Sequence, residues 1–306
     1  VKYGVTRDHV TGMEVVLPNG DIVQLGGKIA KNSSGYSLLH LMIGSEGTLG
    51  IMTKIIVRLL PLPRKVLSLL VPFSCLEQAI GTVPKIIGSR IIPQAMEFME
   101  RDVILSAEKY LGKVFPHKTA PAYLLLRFDG NSPEELEEIY EMAGDICLEA
   151  EAEDVLIADT PERQEGIWDA RGAFLEALKA ESDMDEVDVV VPRDRIADFI
   201  GYTKELEKEY GVRIRSFGHA GDGNMHVYIL RDDMDKDTWR AKMQEIMDLL
   251  YAKGKALGGQ VSGEHGIGIS KRQYLIDDLG DTLIALQRQI KEVFDPKNIL
   301  NPGKLI

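Results

Sequence analysis

Between residues 13 and 25, apolar and polar positions alternate on either side of Pro18-Asn19-Gly20. A period of two marks a strand, and Asn-Gly is a strong turn signal, so the stretch predicts a β-hairpin. A second apolar run, 51–60, predicts another strand, and Pro61 and Pro63 break the pattern at a domain boundary. Beyond it, short runs rich in Val, Ile and Leu predict strands at 66–71, 123–128, 155–157, 187–191, 212–217 and 226–230. Helical spacing of apolar residues fills 192–210 and 234–257. A third helix opens at Ser132-Pro133-Glu134-Glu135, where an N-cap residue, a first-turn proline and two acids coincide. The strands at 212–217 and 226–230 are joined by too short a turn for a crossover, so they must be antiparallel neighbours. The order of elements predicts an α+β fold with helices on one face of a mainly antiparallel, ferredoxin-like sheet. No short repeat is visible, and the end of the chain, 294–306, reads as a helix stop followed by an extended tail.

Composition narrows the function classes. The chain has 306 residues, a 44% hydrophobic fraction and a formal net charge of −12. That length supports a substantial core in one large or two ordinary domains. An acidic chain without a basic patch is a poor nucleic-acid binder. No apolar run approaches the roughly 20 residues of a membrane helix, so an integral membrane protein is not expected. Two cysteines, Cys75 and Cys147, form neither a disulfide framework nor a CxxC motif, which fits a reducing cytoplasm. The chain opens on Val1, in residues that already read as strand, and this suggests a fragment of a longer protein.

Four stretches could carry chemistry. In "FGHAGDGNMHVYI", His219 and His226 flank a turn built from Gly221, Asp222, Gly223 and Asn224. The two imidazoles are either polar residues at a hairpin or two ligands converging on one metal ion. In "SGEHGIG", Glu264 and His265 sit among glycines, either in a helix-entry loop or as functional groups. Glu264 could add an oxygen ligand to His219 and His226, leaving coordination positions open for substrate, with His265 free as an acid or base. The loop "IGSEGTLGIMT" would let a phosphate or ring approach its backbone closely, yet it equally reads as a tight turn before a strand. In "GIWDARGAF", Arg171 lies on a helix and would clamp a carboxylate only if it faced a cleft.

Taken together, "KNSSGYSLLHLMIGSEGTLGIMT", "FGHAGDGNMH", "SGEHGIG" and "LNPGK" resemble the FAD-linked oxidase family, the flavoenzymes of vanillyl-alcohol oxidase type. This group includes glycolate oxidase flavoprotein subunits, D-lactate dehydrogenases and D-2-hydroxyglutarate dehydrogenases. The resemblance implies that residues 1–61 end an FAD-binding domain and that 62–306 form the C-terminal substrate and metal domain. It implies that Gly44, Ser45, Glu46, Gly47, Thr48 and Gly50 line FAD, with Asn32 and Asn301 also on the flavin side. It implies His219, His226 and Glu264 as ligands of a divalent metal such as zinc, manganese or iron. His265 would be the catalytic base, and Arg171 would bind the substrate carboxylate. Where the 2-hydroxyglutarate enzymes carry a lysine six residues before the proline matching Pro192, this chain has Glu186, which favours a monocarboxylate such as lactate or glycolate. The implied reaction oxidises a D-2-hydroxy acid by hydride transfer to the flavin. Electrons would then pass to an iron-sulfur subunit, an electron-transferring flavoprotein or a quinone pool. The chain lacks an iron-sulfur cysteine set, so such a relay would lie on another chain, and any membrane association would be peripheral and through a partner. Two rival readings are a metal-dependent hydrolase using the same His-His-Glu set and a non-catalytic interaction module.

Overall fold

A computed structural model describes all 306 residues. The chain begins α1 (Thr6–His9), β1 (Val10–Val16), β2 (Ile22–Gly26), α2 (Leu38–Met42) and β3 (Ile51–Val57). It continues β4 (Lys65–Phe73), α3 (Leu76–Ile87), β5 (Ala95–Glu100), α4 (Arg101–Leu111), β6 (Ala122–Gly130), α5 (Pro133–Glu149) and β7 (Leu156–Ala158). Then come α6 (Pro161–Gly172), α7 (Phe174–Glu181), β8 (Met184–Val190), α8 (Ile196–Tyr210), β9 (Arg213–His219), β10 (Asn224–Leu230), α9 (Lys236–Ala256) and α10 (Arg272–Phe294). No helix is long and apolar enough to cross a membrane.

Two compact units divide the chain: residues 1–2 with 63–263, and residues 3–62 with 264–306. The cut differs from a simple division at 61/62, because α10 packs with the N-terminal strands. A three-stranded sheet, ordered β2-β1-β3, cannot bury its own apolar face. Met13, Val15, Met42 and Leu49 form the core of this smaller unit, and Ile290 and Phe294 of α10 pack against them. The last residues, 295–306, form turns rather than an extended tail, with Asn298 and Asn301 at positive φ.

The larger unit holds a seven-stranded sheet ordered β7-β4-β6-β5-β9-β10-β8, in which every pairing is antiparallel. Its first half runs β4-α3-β5-β6-α5-β7, with α4 inserted, and its strand order is the split βαβ arrangement of a ferredoxin-like fold. The second half, β8-α8-β9-β10-α9, repeats that topology, with a single bridge from Gln260 to Val190 where a fourth strand would lie. The halves meet edge to edge through only two residue pairs, Phe98 with Gly218 and Met99 with Phe217.

Helices cover both faces of this sheet, not one. Leu69 and Leu70 point to opposite faces, and both are fully buried. On one face α3, α5, α8 and α9 form a layer; on the other, α4, α6 and α7 bury Val103, Ile104, Ile167, Phe174 and Leu178 against Leu70, Met99, Tyr123, Leu125, Phe217 and Tyr228. A sheet covered on both faces needs uninterrupted apolar strands, and β10 is buried at every position. The start of α5 at Ser132 is as expected, and the structure adds caps on two further helices. Ser132 Oγ accepts from Glu135 N at 3.2 Å, Asp235 caps α9, and α8 stops at Gly211 with φ +61°.

The sequence pattern missed β5. Its residues, Ala-Met-Glu-Phe-Met-Glu, favour helix, and pairing with β6 and β9 overrides that preference.

Burial gives the two thiols different reactivities. Cys147 is fully buried on α5, and burial pushes its thiol up to about 12, whereas Cys75 is partly exposed at the start of α3. Iodoacetamide applied to the native protein at mildly alkaline pH should therefore alkylate Cys75 and spare Cys147 until denaturant is added. Peptide mass spectrometry checks this; equal labelling of both in the native state would contradict the packing of α5.

Candidate functional site

The site is built on the β9–β10 hairpin. His219 is the last residue of β9 and pairs with Asn224, the first of β10. Four residues make the turn, and the amides of Asp222 and Gly223 both donate to His219 O at 2.9 Å. Gly223 is required there: it takes φ +82°, and a Cβ would lie 2.1 Å from Val191 O. His226 pairs with Phe217, so the two histidines are diagonal neighbours on one face of the hairpin. Their ring centroids are 5.4 Å apart, with an interplanar angle of 86°. The imidazoles are therefore aimed together, as one of the two sequence readings required. His226 is buried and His219 is 31% exposed, so the pair has an inner and an outer member.

Each imidazole faces a carboxylate through Nδ1. His219 Nδ1 lies 2.9 Å from Glu97 Oε1, and His226 Nδ1 lies 3.3 Å from Glu186 Oε1. A carboxylate can only accept, so His219 Nδ1 donates to Glu97, whereas the approach of His226 Nδ1 to Glu186 is close without being a hydrogen bond. Metal-bound histidines show the same carboxylate–imidazole pattern. Glu186 also accepts from Tyr228 Oη at 2.9 Å, and burial first, then the Glu186 charge, raises the Tyr228 phenol, which keeps it a donor. Deeper still, fully buried Asp188 accepts from Asn224 Nδ2 and Ser262 Oγ, each at 2.7 Å, and lies 3.9 Å from His226 Nδ1.

Arg171 reaches the same cluster from α6. That helix starts at Thr160-Pro161, where the Thr160 side chain accepts from Arg163 N, and Trp168 anchors it by donating to Ser68 Oγ at 2.9 Å. One turn later, Arg171 Nε and Nη2 donate to Glu97 Oε2 at 3.0 and 2.7 Å. The guanidinium lies 4.9 Å from the Phe217 ring centroid and 5.7 Å from that of Phe174. Two of its five N–H donors are committed to Glu97 and three remain for a ligand. Burial works to raise the Glu97 carboxyl, but the His219 hydrogen bond and the Arg171 charge prevail and hold it below the usual range. Removing one partner of such a buried pair costs about 3–5 kcal/mol, because the other charge is stranded.

Glu264 and His265 begin the smaller unit's C-terminal stretch, half-exposed, with His265 Nε2 3.4 Å from Glu264 Oε1. In that unit the "GSEGTLG" loop is a tight turn leading into β3. Thr48 Oγ1 donates to Ser45 O at 2.6 Å, and both residues are buried. Gly50 has a packing role, since a Cβ there would lie 2.4 Å from the Val15 side chain. Glu46, at φ +51°, accepts from Ile267 N at 2.7 Å and Gly268 N at 2.8 Å. Asn301 Nδ2 donates to Glu46 O at 2.6 Å, so Asn301 and the loop are brought together. Gly44 and Gly47 have φ of +87° and +69°. Asn32 stands apart from these, lining a cleft of about 350 Å³ with Tyr36, Ser37 and His40. Sequence reasoning missed Glu97, Asp188 and Tyr228 as site residues. The one signal for Glu97 was an acid within the apolar run Met96-Glu97-Phe98-Met99.

Residues 62–305 match the family described as FAD linked oxidases, C-terminal domain. The chain is 51% identical over all of its length to a D-lactate dehydrogenase of Anaerostipes hadrus, of which it covers 66%. It is 40% identical over all of its length to the glycolate oxidase subunit GlcD of Bacillus subtilis, of which it covers 64%. The chain thus spans about two thirds of the length of these relatives. Among solved structures, p-cresol methylhydroxylase with substrate bound aligns over 97% of this chain and 65% of its own, with TM-score 0.77 and 16% identity. The 4-ethylphenol oxidase of Gulosibacter chungangensis aligns over 97% of this chain and 66% of its own, with TM-score 0.73 and 18% identity. At those identities the likeness is one of fold. Motif, fold and whole-length similarity agree: this chain belongs to the FAD linked oxidases and carries their C-terminal domain.

Proposed function

We propose that this chain forms the substrate- and metal-binding part of an FAD-dependent dehydrogenase that oxidises a D-2-hydroxy acid, D-lactate or glycolate, to the 2-oxo acid. The observation that carries this reading is the pair of imidazoles with both Nδ1 atoms facing carboxylates, set beside an arginine with three N–H donors to spare. Nitrogen donors of this kind suit zinc, manganese or iron, and the carboxyl groups of Glu97, Glu186 and Asp188 outnumber the single guanidinium, which favours a cation there. Glu264 is the third ligand in this reading. It follows Ser262, itself anchored to Asp188, by two residues, a tether of at most about 7 Å.

Bound FAD supplies the hydride acceptor, and a bound divalent ion supplies polarisation of the substrate hydroxyl. The chain's own residues do the rest. Arg171 holds the substrate carboxylate through its remaining N–H groups and so fixes the orientation of C2. His265 takes the hydroxyl proton as C2 loses its hydride. Glu186 sets a negative charge beside His226 and disfavours a second substrate carboxylate, which supports monocarboxylates. For the cofactor, the loop Gly44, Ser45, Glu46, Gly47, Thr48 and Gly50, with Asn301 bonded to it, provides compact backbone, and Asn32 lines a separate cleft. At Gly44 the sole neighbour of an added Cβ would be the basic tip of Arg7, at 3.5 Å, which fits an anionic cofactor. In this reading the division at 61/62 separates FAD-binding from substrate-binding sequence. The acceptor is an iron-sulfur subunit or an electron-transferring flavoprotein, and the protein works in the cytoplasm, at the membrane only through such a partner. The hydrolase reading gains nothing from relatives that are named as oxidoreductases.

Two outcomes are expected of the flavin-loaded full-length protein. Anaerobic D-lactate or glycolate should bleach the flavin absorbance faster than D-2-hydroxyglutarate at equal concentration; no bleaching by either monocarboxylate would reject the substrate assignment. His226→Ala should lose its bound metal, measured by elemental analysis, and lower turnover by at least the 10–100-fold typical of outer-shell losses, while retaining flavin. Full metal content in this variant would remove His226 from the ligand set.

A further inference from the structure

We propose that Glu97 is a positioning residue that couples the metal-binding and carboxylate-binding halves of the site. This rests on the function proposed above and deepens it. One carboxylate serves two masters through different oxygens: Oε1 meets His219 Nδ1 at 2.9 Å, while Oε2 accepts Arg171 Nε at 3.0 Å and Nη2 at 2.7 Å. The three residues come from β5, β9 and α6, elements far apart in sequence. Glu97 is 5% exposed, so water cannot readily replace either partner.

The consequence follows from hydrogen-bond direction. With a carboxylate on Nδ1, His219 holds a proton there, and in the neutral imidazole the lone pair then belongs to Nε2. With the Nε–Nη2 edge of Arg171 held side-on by Oε2, the opposite end of the guanidinium faces away from Glu97, ready for a planar carboxylate. Glu97 thereby sets the tautomer of one group and the plane of another. An amide in its place satisfies only one of them. If its oxygen faces Arg171, its NH2 faces His219 Nδ1 and forces the proton onto Nε2. If it is flipped, its NH2 opposes the guanidinium.

The test uses the full-length, flavin-loaded protein with Glu97→Gln, Glu97→Asp and the control Glu100→Gln. Glu100 lies on the same strand, is buried and pairs with Lys204 at 2.6 Å, away from the histidines. Glu97→Gln should keep its flavin and cooperative unfolding, bind Mn²⁺ about 10–100-fold more weakly in a substrate-free titration, and raise KM for the hydroxy acid. Glu100→Gln should leave Mn²⁺ affinity and KM unchanged. In the metal-free wild type, ¹⁵N chemical shifts of His219 should report the Nδ1–H tautomer. Wild-type Mn²⁺ affinity and KM in Glu97→Gln, or an Nε2–H tautomer in the wild type, would overturn the proposal. If Glu97→Gln does not fold, Glu97→Asp and the tautomer measurement decide it. Two measurements separate this role from the function it rests on: no flavin bleaching of the wild type by either monocarboxylate fails the functional reading, whereas bleaching with an unaffected Glu97→Gln fails the positioning role alone.

Discussion

A buried carboxylate at a two-pair seam governs the arrangement of the larger unit's polar cluster. The ferredoxin-like halves touch through Phe98–Gly218 and Met99–Phe217, and the next residues outward on the two strands are Glu97 and His219. An ionised carboxylate taken out of water must find partners or lose several kcal/mol of stability. Here the partners are an imidazole from the other half of the sheet and a guanidinium from α6. The seam that joins the halves is therefore also the place where charge is concentrated, and the requirement to satisfy that charge draws three elements to one point.

The rest of the cluster follows the same logic across β8 and β10. Glu186 pairs in register with Tyr228, and Asp188 with His226, so side chains on facing strands meet on one sheet face without any loop having to fold inward. Tyr228 and Phe217 stack at 5.3 Å and close the cluster off from the apolar core beneath α4, α6 and α7. Residues supported by paired strands on both sides hold their directions more tightly than loop residues, which is what a ligand set or a carboxylate clamp needs. The second histidine sits in a strand that is buried along its whole length, and the first stands at the turn end of that hairpin. One is fixed by packing and the other is reachable.

The motifs were legible because turns and caps use local chemistry. "GHAGDGNMH" could be read as a hairpin from its own glycines, the start of α5 from Ser132-Pro133, and α8 and α9 from their apolar spacing. The convergence of His219 and His226 followed from that hairpin once the pairing register was known. Strand β5 was not legible. Met, Glu and Ala favour helix in isolation, and nothing within Ala95–Glu100 announces that β6 and β9 will flank it. Missing the strand meant missing Glu97. The topological repeat was hidden for a related reason: the two halves share a path of the chain, not a sequence, and the final strand of the second is reduced to one bridge at Gln260.

The sequence alone determined the kinds of group present and the local turns that carry them: two imidazoles on a glycine hairpin, a Glu-His pair in a glycine loop, and an arginine one helical turn from Trp168. Those are short-range properties, set by backbone freedom and capping within a few residues. Tertiary structure decided which of these groups share a carboxylate, that both faces of the sheet are covered, and that α10 packs with β1–β3. Such outcomes depend on contacts between residues tens to hundreds of positions apart, as Glu97 with Arg171 and His219, and local pattern carries no information about them.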